Sequence, residues 1–295
     1  MKTPKIKNRS NLIKTSFNTF SNDSPQISFQ NNIHLVVSDL DGTLLNPEHK
    51  LTAKTKQAVH DLVKQGTPFM LATGRHYQDV YLIAEQIGVE MCLITSNGAR
   101  VHDHKGRLLY ENHMPANLVE RVLELSQNFD IHRNIYQQDL WLVEEPHESL
   151  LAIHEESGFE YKFRDFSQID LNHIDKIYFT AEHSVLQDLE KRLTQEVGDQ
   201  LYITFTSPEY LEIMNLGVSK GQALQMILQQ RNINAENVMA LGDGMNDKEM
   251  LALVGHGVVM HNASESVKSL FPELAMAKSN AQDGVAEYLK ATLLI

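Results

Sequence analysis

The sequence predicts an α/β protein, a parallel sheet wrapped by helices, with an α+β unit inserted into it. Three observations carry that expectation. Residues 33 to 95 alternate short apolar runs with amphipathic stretches in the order strand, helix, strand, helix, strand. From about 114 to 212 the pattern changes to helices mixed with paired strands and short connections, which suits an antiparallel sheet. After Ser219 the first pattern returns.

The elements follow in order. Residues 1–30 read as a leader outside the fold. Lys2, Lys5, Lys7, Arg9 and Lys14 are basic, Asp23 is the sole acid, and no apolar core of signal-peptide length is present. A transit peptide shares that composition but needs a better amphipathic pattern, so a disordered tail or an upstream start codon is the preferred reading. The first strand spans Ile33 to Val37. Thr52 caps a helix whose apolar stripe is Val59, Leu62 and Val63 and which Gly66 ends. Pro68 to Ala72 is the second strand, about Tyr77 to Ile87 a helix, and Met91 to Thr95 the third strand. Val101 to Tyr110 reads as a hairpin turning at Lys105-Gly106.

In the inserted unit, Leu118, Val119, Val122, Leu123 and Leu125 mark a helix. Ile131 to Tyr136 and Leu140 to Glu144 mark a hairpin, and a helix follows around 147–156. Lys176 to Thr180 is a strand, Val185 to Val197 a helix, and Leu201 to Phe205 and Tyr210 to Met214 are strands. Then Ser219-Lys220-Gly221 opens a helix with Ala223, Leu224, Ile227 and Leu228 as its apolar face. Val238 to Leu241 is a strand, a helix carries Met250, Leu251 and Leu253, Gly257 to Met260 is a strand, and Val285 onward closes the chain as a helix. The division is 31–113 with 213–295 for the core and 114–212 for the insertion.

Composition excludes several classes. The chain has 295 residues, 42% hydrophobic and 22% charged, and no run approaches the roughly 18 apolar residues of a membrane span. A formal charge of −12 argues against nucleic-acid or anionic-membrane binding and requires local cations to hold an anionic substrate. Cys92 is the single cysteine, so no intrachain disulfide forms, and a reducing, cytoplasmic setting is expected.

The chemistry concentrates at strand ends. Asp39 and Asp41 stand at i and i+2 after the first strand, followed by Gly42 and Thr43. Such a pair of like charges needs a cation between them or a protonated member. Asp243 and Asp247 flank the next strand end, in Gly242-Asp243-Gly244-Met245-Asn246-Asp247, and offer oxygen ligands to a hard cation. Lys220, in the first turn of a helix, opposes the helix dipole, which makes sense where an anion binds. Thr73 and Gly74 offer a hydroxyl and an N–H to a phosphate oxygen. Arg75 either joins them or pairs with a core acid.

Asp39-Leu40-Asp41-Gly42-Thr43, Ala72-Thr73-Gly74-Arg75, Gly217-Val218-Ser219-Lys220-Gly221 and the Gly242 to Asp247 stretch resemble, in order, the four motifs of the haloacid dehalogenase (HAD) superfamily. The large insertion between the second and third resembles its Cof-like phosphatase branch. Ile94 to Asp103 resembles a bacterial subgroup that includes a pyridoxal phosphate phosphatase. The resemblance implies a Rossmann-like core with an inserted cap. It implies Asp39 as nucleophile and Asp41 as general acid and base. Mg²⁺ would bind the Asp39 carboxylate, the Asp41 carbonyl and Asp243, with Asp247 as a ligand or behind one. The Leu40 N–H, Thr73, Gly74, Lys220 and Asn246 would hold the phosphate. The implied partner is a small phosphate ester, pyridoxal 5′-phosphate first and a hexose phosphate second, with the protein a monomer or homodimer. A phosphomutase and a non-catalytic phosphometabolite sensor remain alternatives.

Other features have plainer readings. His102 and His104 alternate on a strand but lack partner ligands, so they are read as surface histidines. Trp141 and Tyr136 either face a substrate ring or build the core of the insertion. Asn97 and Arg100 follow a core strand and are placed at the border of the site.

Overall fold

The structure, a computed structural model, describes residues 32–152, 154, 157–293 and 295; the leader expected over 1–30 lies outside the described residues. The chain opens with β1 (Leu35–Ser38), α1 (Ala53–Lys64), β2 (Phe69–Ala72), α2 (Tyr77–Ile87) and β3 (Leu93–Thr95), then β4 (Arg100–His102) and β5 (Leu108–Glu111). The insertion runs α3 (Ala116–Ser126), β6 (His132–Gln137), β7 (Leu140–Val143), α4 (Glu148–Ala152), β8 (Tyr161–Phe163), β9 (Ile174–Thr180), α5 (His183–Val197), β10 (Leu201–Ser207) and β11 (Tyr210–Asn215). The chain returns through α6 (Lys220–Gln230), β12 (Val238–Gly242), α7 (Lys248–Leu253), β13 (His256–Met260), α8 (Glu265–Leu270), β14 (Ala275–Ala277) and α9 (Gly284–Leu293).

The larger sheet has the order β14-β13-β12-β1-β2-β3-β4-β5, parallel from β14 to β3 and antiparallel over β4 and β5. Alternation along β1 divides the core into two layers. Val36 joins Val59, Leu62, Ile83 and Leu289 of α1, α2 and α9 on one face. Leu35 and Val37 join Leu224, Ile227 and Leu251 of α6 and α7 on the other. Because α1 and α7 leave adjacent strands toward opposite faces, a crevice opens beyond the carboxyl ends of β1 and β12, the topological switch point where ligands bind in such sheets. Local chemistry sets the helix starts. The Thr52 hydroxyl accepts the Thr55 N–H at 3.1 Å, and the Ser219 hydroxyl accepts the Gln222 N–H at 3.1 Å.

The second sheet has the order β10-β11-β9-β6-β7-β8, antiparallel except for the parallel pair β7 and β8. Helices α3 and α5 cover one face, with Val119, Val122, Leu186 and Leu189 against Ile177 and Phe179. The opposite face is aromatic, with Tyr136, Trp141, Phe159 and Tyr178. The boundary expected at 212 cuts through β11, which continues to Asn215 because Ile213 and Met214 are paired with Ile203 and Tyr202 of β10. The two passages between the sheets meet where the Asn215 side-chain amide donates to Asn112 Oδ1 at 2.6 Å. Three short elements, β8, α8 and β14, were not expected, because six helical residues or three strand residues are too few to show a period. One further position, His102, is a correction, and Trp141 takes one of the two places that its sequence allowed. His102 is buried and stacked on Tyr77 at 3.7 Å rather than at the surface. Trp141 is wholly buried with its indole N–H donating to Asn134 Oδ1 at 3.0 Å, so it belongs to the interior of the insertion.

The hairpin between β6 and β7 reaches the larger sheet with its main chain. The Gln138 carbonyl accepts from His76 Nε2 and from Arg100 Nη1, each at 2.6 Å. His76 Nδ1 meanwhile accepts the Gln78 N–H, which fixes the proton on Nε2. Trp141 anchors the sheet that presents this hairpin. We expect Trp141→Ala to lower unfolding free energy by roughly 3–5 kcal/mol, read as a shift in denaturant midpoint; a change below about 1 kcal/mol would contradict its place as a core anchor.

Candidate active site

Asp39 directly follows β1. Its N–H donates to the Leu241 carbonyl of β12 at 2.9 Å, and the Ser38 hydroxyl donates to its carbonyl at 2.7 Å. The chain then makes one wide turn, Leu40–Leu44, with Gly42 at φ +75°. A Cβ at Gly42 would collide with the Asp243 carboxylate, so this turn needs glycine for both space and backbone angle. The Thr43 hydroxyl donates to Asp243 Oδ1 at 2.8 Å, tying the turn after β1 to the turn after β12. Asp247 accepts the N–H groups of Asp243 (3.0 Å) and Gly244 (2.9 Å) on Oδ2. Lys220, wholly buried, donates to Asp39 Oδ1 at 2.5 Å and to Asp247 Oδ1 at 2.7 Å.

One carboxylate oxygen from each of Asp39, Asp243 and Asp247 lies within 4.8 Å of the others. Burial pushes the Asp39 carboxyl well up, with the Asp247 charge adding to it and Lys220 opposing. Burial, then Asp247, pushes Asp243 up to about 7. For Lys220, burial acts against the charge, but Asp247 and Asp39 overcome it and hold the ammonium protonated. One ammonium thus stands among three clustered carboxylates, two buried and the third, Asp243, half-buried, and the site is short of positive charge. An all-oxygen donor set with that deficit fits a hard divalent cation. Asp247 has both oxygens committed to protein donors, which places it behind Asp39 and Asp243 as a ligand source.

The model of one family, haloacid dehalogenase-like hydrolase, matches residues 36–289. The chain belongs to that family. It is 37% identical over 257 residues to an HMP-PP phosphatase of Serratia proteamaculans, covering 87% of this chain and 94% of the relative. An HMP-PP phosphatase of Cronobacter sakazakii is 36% identical over 251 residues, covering 85% and 92%. Among solved structures, a haloacid dehalogenase-like hydrolase from B. subtilis superposes with a TM-score of 0.78 at 26% identity, covering 88% of this chain and all 100% of that one.

In this HAD-like hydrolase the second acid of the first motif is engaged differently. Asp41 Oδ2 accepts from Arg75 Nε at 2.7 Å, and Oδ1 from Arg75 Nη2 at 2.6 Å, with His49 Nδ1 at 2.9 Å. Burial works to raise the Asp41 carboxyl, but the Arg75 charge and the His49 hydrogen bond outweigh it and hold it well below the usual range. Arg75 therefore pairs with a core acid, the second of the two roles that the sequence allowed. Its Nη1 also donates to Asp79 Oδ2 at 3.1 Å.

The aromatic face of the insertion roofs the site of the hydrolase. Tyr136, Lys176, Tyr178, Tyr210 and Glu212 face Asp39, Thr73 and Asn246 across a cavity of about 280 Å³. Lys176 donates to Glu212 Oε1 at 2.8 Å and to the Gly74 carbonyl at 2.9 Å, with its ammonium over the rings of Tyr136 and Tyr178 at 4.8 and 5.1 Å. The Asn97 amide donates to Glu212 Oε2 and its oxygen accepts from Asn246 Nδ2 at 2.9 Å. Roof and floor thus share one hydrogen-bonded circuit.

The structure brings Asp39, Asp41, Thr73, Gly74, Asn246 and Asp243 to this cavity, with Lys220 and Asp247 packed behind it. Leu40 is buried and begins the turn, its carbonyl accepting the Leu45 N–H at 2.9 Å. Sequence reasoning left out Asp79, Lys176 and Glu212, which have no motif around them. Charged residues inside otherwise apolar runs were the available signal for Lys176 and Glu212, and Asp79 carries none.

Proton and metal should compete at Asp243. Its folded pKa stands near 7 against an ordinary 3.8, so it contributes stability at low pH that is lost as pH rises through that window. Added Mg²⁺ should therefore raise Tm more at about pH 8 than at about pH 5. Paired thermal melts check this, and equal increments would mean that Asp243 is not a ligand.

Proposed function

We propose that this hydrolase is a Mg²⁺-dependent phosphatase of small phosphate monoesters that works through an aspartyl-phosphate. The observation that carries the reading is the Asp39 carboxylate, presented at a strand end beside a buried ammonium, with Asp41 two residues away at the mouth of the same cavity. The relatives, both named HMP-PP phosphatase, support the phosphatase part of that reading.

The residues divide the work as follows. An Asp39 oxygen attacks phosphorus while the bond from phosphorus to the ester oxygen breaks. Asp41 must first take up a proton, against the Arg75 fork and His49 that favour its charged form, and then gives it to the departing alkoxide, which leaves as an alcohol. Water then attacks the aspartyl-phosphate, Asp41 takes the water's proton, and the Asp39 carboxylate is regenerated as phosphate leaves. Lys220, Thr73, Asn246 and the N–H groups of Leu40 and Gly74 hold the phosphoryl oxygens, and most of the rate comes from such positioning. Mg²⁺ held by the Asp39 carboxylate, the Asp41 carbonyl and Asp243, with Asp247 behind, would neutralise the clustered charge.

The roof speaks to the substrate. Tyr136, Tyr178 and Tyr210 line it with aromatic rings, the last two stacked with centroids 6.2 Å apart, and Lys176, paired with Glu212, lies over the first two. That lining favours a flat ring and puts pyridoxal 5′-phosphate ahead of a hexose phosphate. HMP-PP joins the candidates through the relatives' names. Among the described residues no helix is long and apolar enough to cross a membrane. The buried thiol of Cys92, which accepts from Arg231, supports a reducing, cytoplasmic setting.

The test is phosphate release from a panel of these esters, with and without Mg²⁺. We expect Mg²⁺-dependent release led by an aromatic-ring ester, and a fall of about 10³-fold or more in Asp39→Asn with the fold retained by circular dichroism. Release from none of the esters would shift the reading to a mutase or a sensor. Undiminished release by the variant would remove Asp39 as nucleophile.

A further inference from the structure

Asp41 does not hold its own position. The Arg75 guanidinium grips both of its oxygens in a fork, at 2.6 and 2.7 Å, and such a fork fixes the plane of a carboxylate as well as its place. Arg75 is in turn held from its far side by Asp79, a residue of α2 with no solvent exposure. A carboxylate buried that deeply is costly unless it is paired. Part of its pairing comes from the insertion. The Ser157 hydroxyl donates to Asp79 Oδ1, and His154 Nδ1 lies 2.9 Å from Oδ2. Both residues sit between α4 and β8, in the roof of the cavity, and His154 also lines it. A continuous chain of polar contacts therefore runs from the insertion, through the Ser157 hydroxyl and the close approach of His154, to the ion pairs of Asp79 with Arg75 and of Arg75 with Asp41.

We propose that Arg75 and Asp79 are positioning residues for proton transfer by Asp41, and that the docked cap sets them through Ser157 and His154. The inference rests on the phosphatase reading and on Asp41 as proton donor. Its physical basis is that the donor must meet the leaving oxygen within hydrogen-bond reach, and a misplacement of about 1 Å is enough to cost a large factor in rate. Docking of the roof then does more than exclude water. It completes the anchor on which the fork depends, so the acid is in place when the substrate is enclosed.

Two esters separate this role from a general structural one. An alkyl phosphate, such as pyridoxal 5′-phosphate or a hexose 6-phosphate, needs a proton on its leaving oxygen. p-Nitrophenyl phosphate releases a stable phenolate and needs none. The ratio kcat/KM covers steps only through loss of the leaving group, so later hydrolysis of the aspartyl-phosphate does not enter it. In the full chain with Mg²⁺, Asp79→Asn should lower kcat/KM on the alkyl ester about tenfold or more while p-nitrophenyl phosphate changes by less than about threefold. Ser157→Ala should act in the same direction, by about threefold on the alkyl ester. If Asp79→Asn does not fold, Arg75→Lys takes its place, because it keeps the charge but breaks the fork, and the same selective loss is expected. Equal losses on both esters, or no loss on either, overturn the proposal. A wild-type protein inactive on both esters overturns the phosphatase reading together with it, whereas an active wild type with parallel losses in the variants overturns the positioning chain alone.

Discussion

The Lys220 ammonium, buried between Asp39 and Asp247, is the interaction on which the rest of the site depends. Removing an ammonium from water costs several kcal/mol unless close carboxylates offset it. Here two of them do, at 2.5 and 2.7 Å. To reach them, α6 must lie tightly against its neighbours. A Cβ at Gly221 would collide with the Glu249 backbone of α7, so glycine is what permits that approach. The strand ends after β1 and β12, the first turn of α6 and the start of α7 are therefore fixed together by one charge. The same arrangement explains why Lys220 stands in a helix's first turn, against the dipole. Its partners there are carboxylates of the protein, Asp39 and Asp247.

The core was largely legible because its signals are local. β1 announces itself through β-branched residues, and α2 through an apolar stripe whose limits, Tyr77 and Ile87, coincide with the structure. The chemistry was legible for a related reason. A carboxylate at a strand end in a parallel sheet has only one place to point, so Asp39, Asp243 and Thr73 converge once the strand order is known. Family resemblance and periodicity agreed because both follow from that geometry.

What was not legible is long-range. Nothing near Asp79 in sequence distinguishes a buried ion-pair partner from an exposed residue in the first turn of a helix, where acids are common. Lys176 looks like the polar member of an alternating strand, and only the pairing of β9 with β6 and β11 turns it toward Gly74 and Glu212. His102 failed as a surface residue for a similar reason. Its strand is covered by Tyr77 from another element. In each case a side chain's surroundings come from a contact dozens of residues away, and a one-dimensional pattern does not carry that information.

The contact of Gln138 with His76 and Arg100 has a different character. It is made by a carbonyl, which accepts from His76 at the start of α2 and from Arg100 of β4, and not by the glutamine side chain. The residue has φ +51°, so the position favours whatever tolerates a left-handed turn and is otherwise indifferent to chemistry. Drift at 138 would leave the docking intact, while drift at 76 or 100 would remove a donor. Two members of a lineage can therefore differ at the tip of the hairpin and still share the same seating of lid on base. Comparison of their letters would mark the contact as absent where the main chain has kept it.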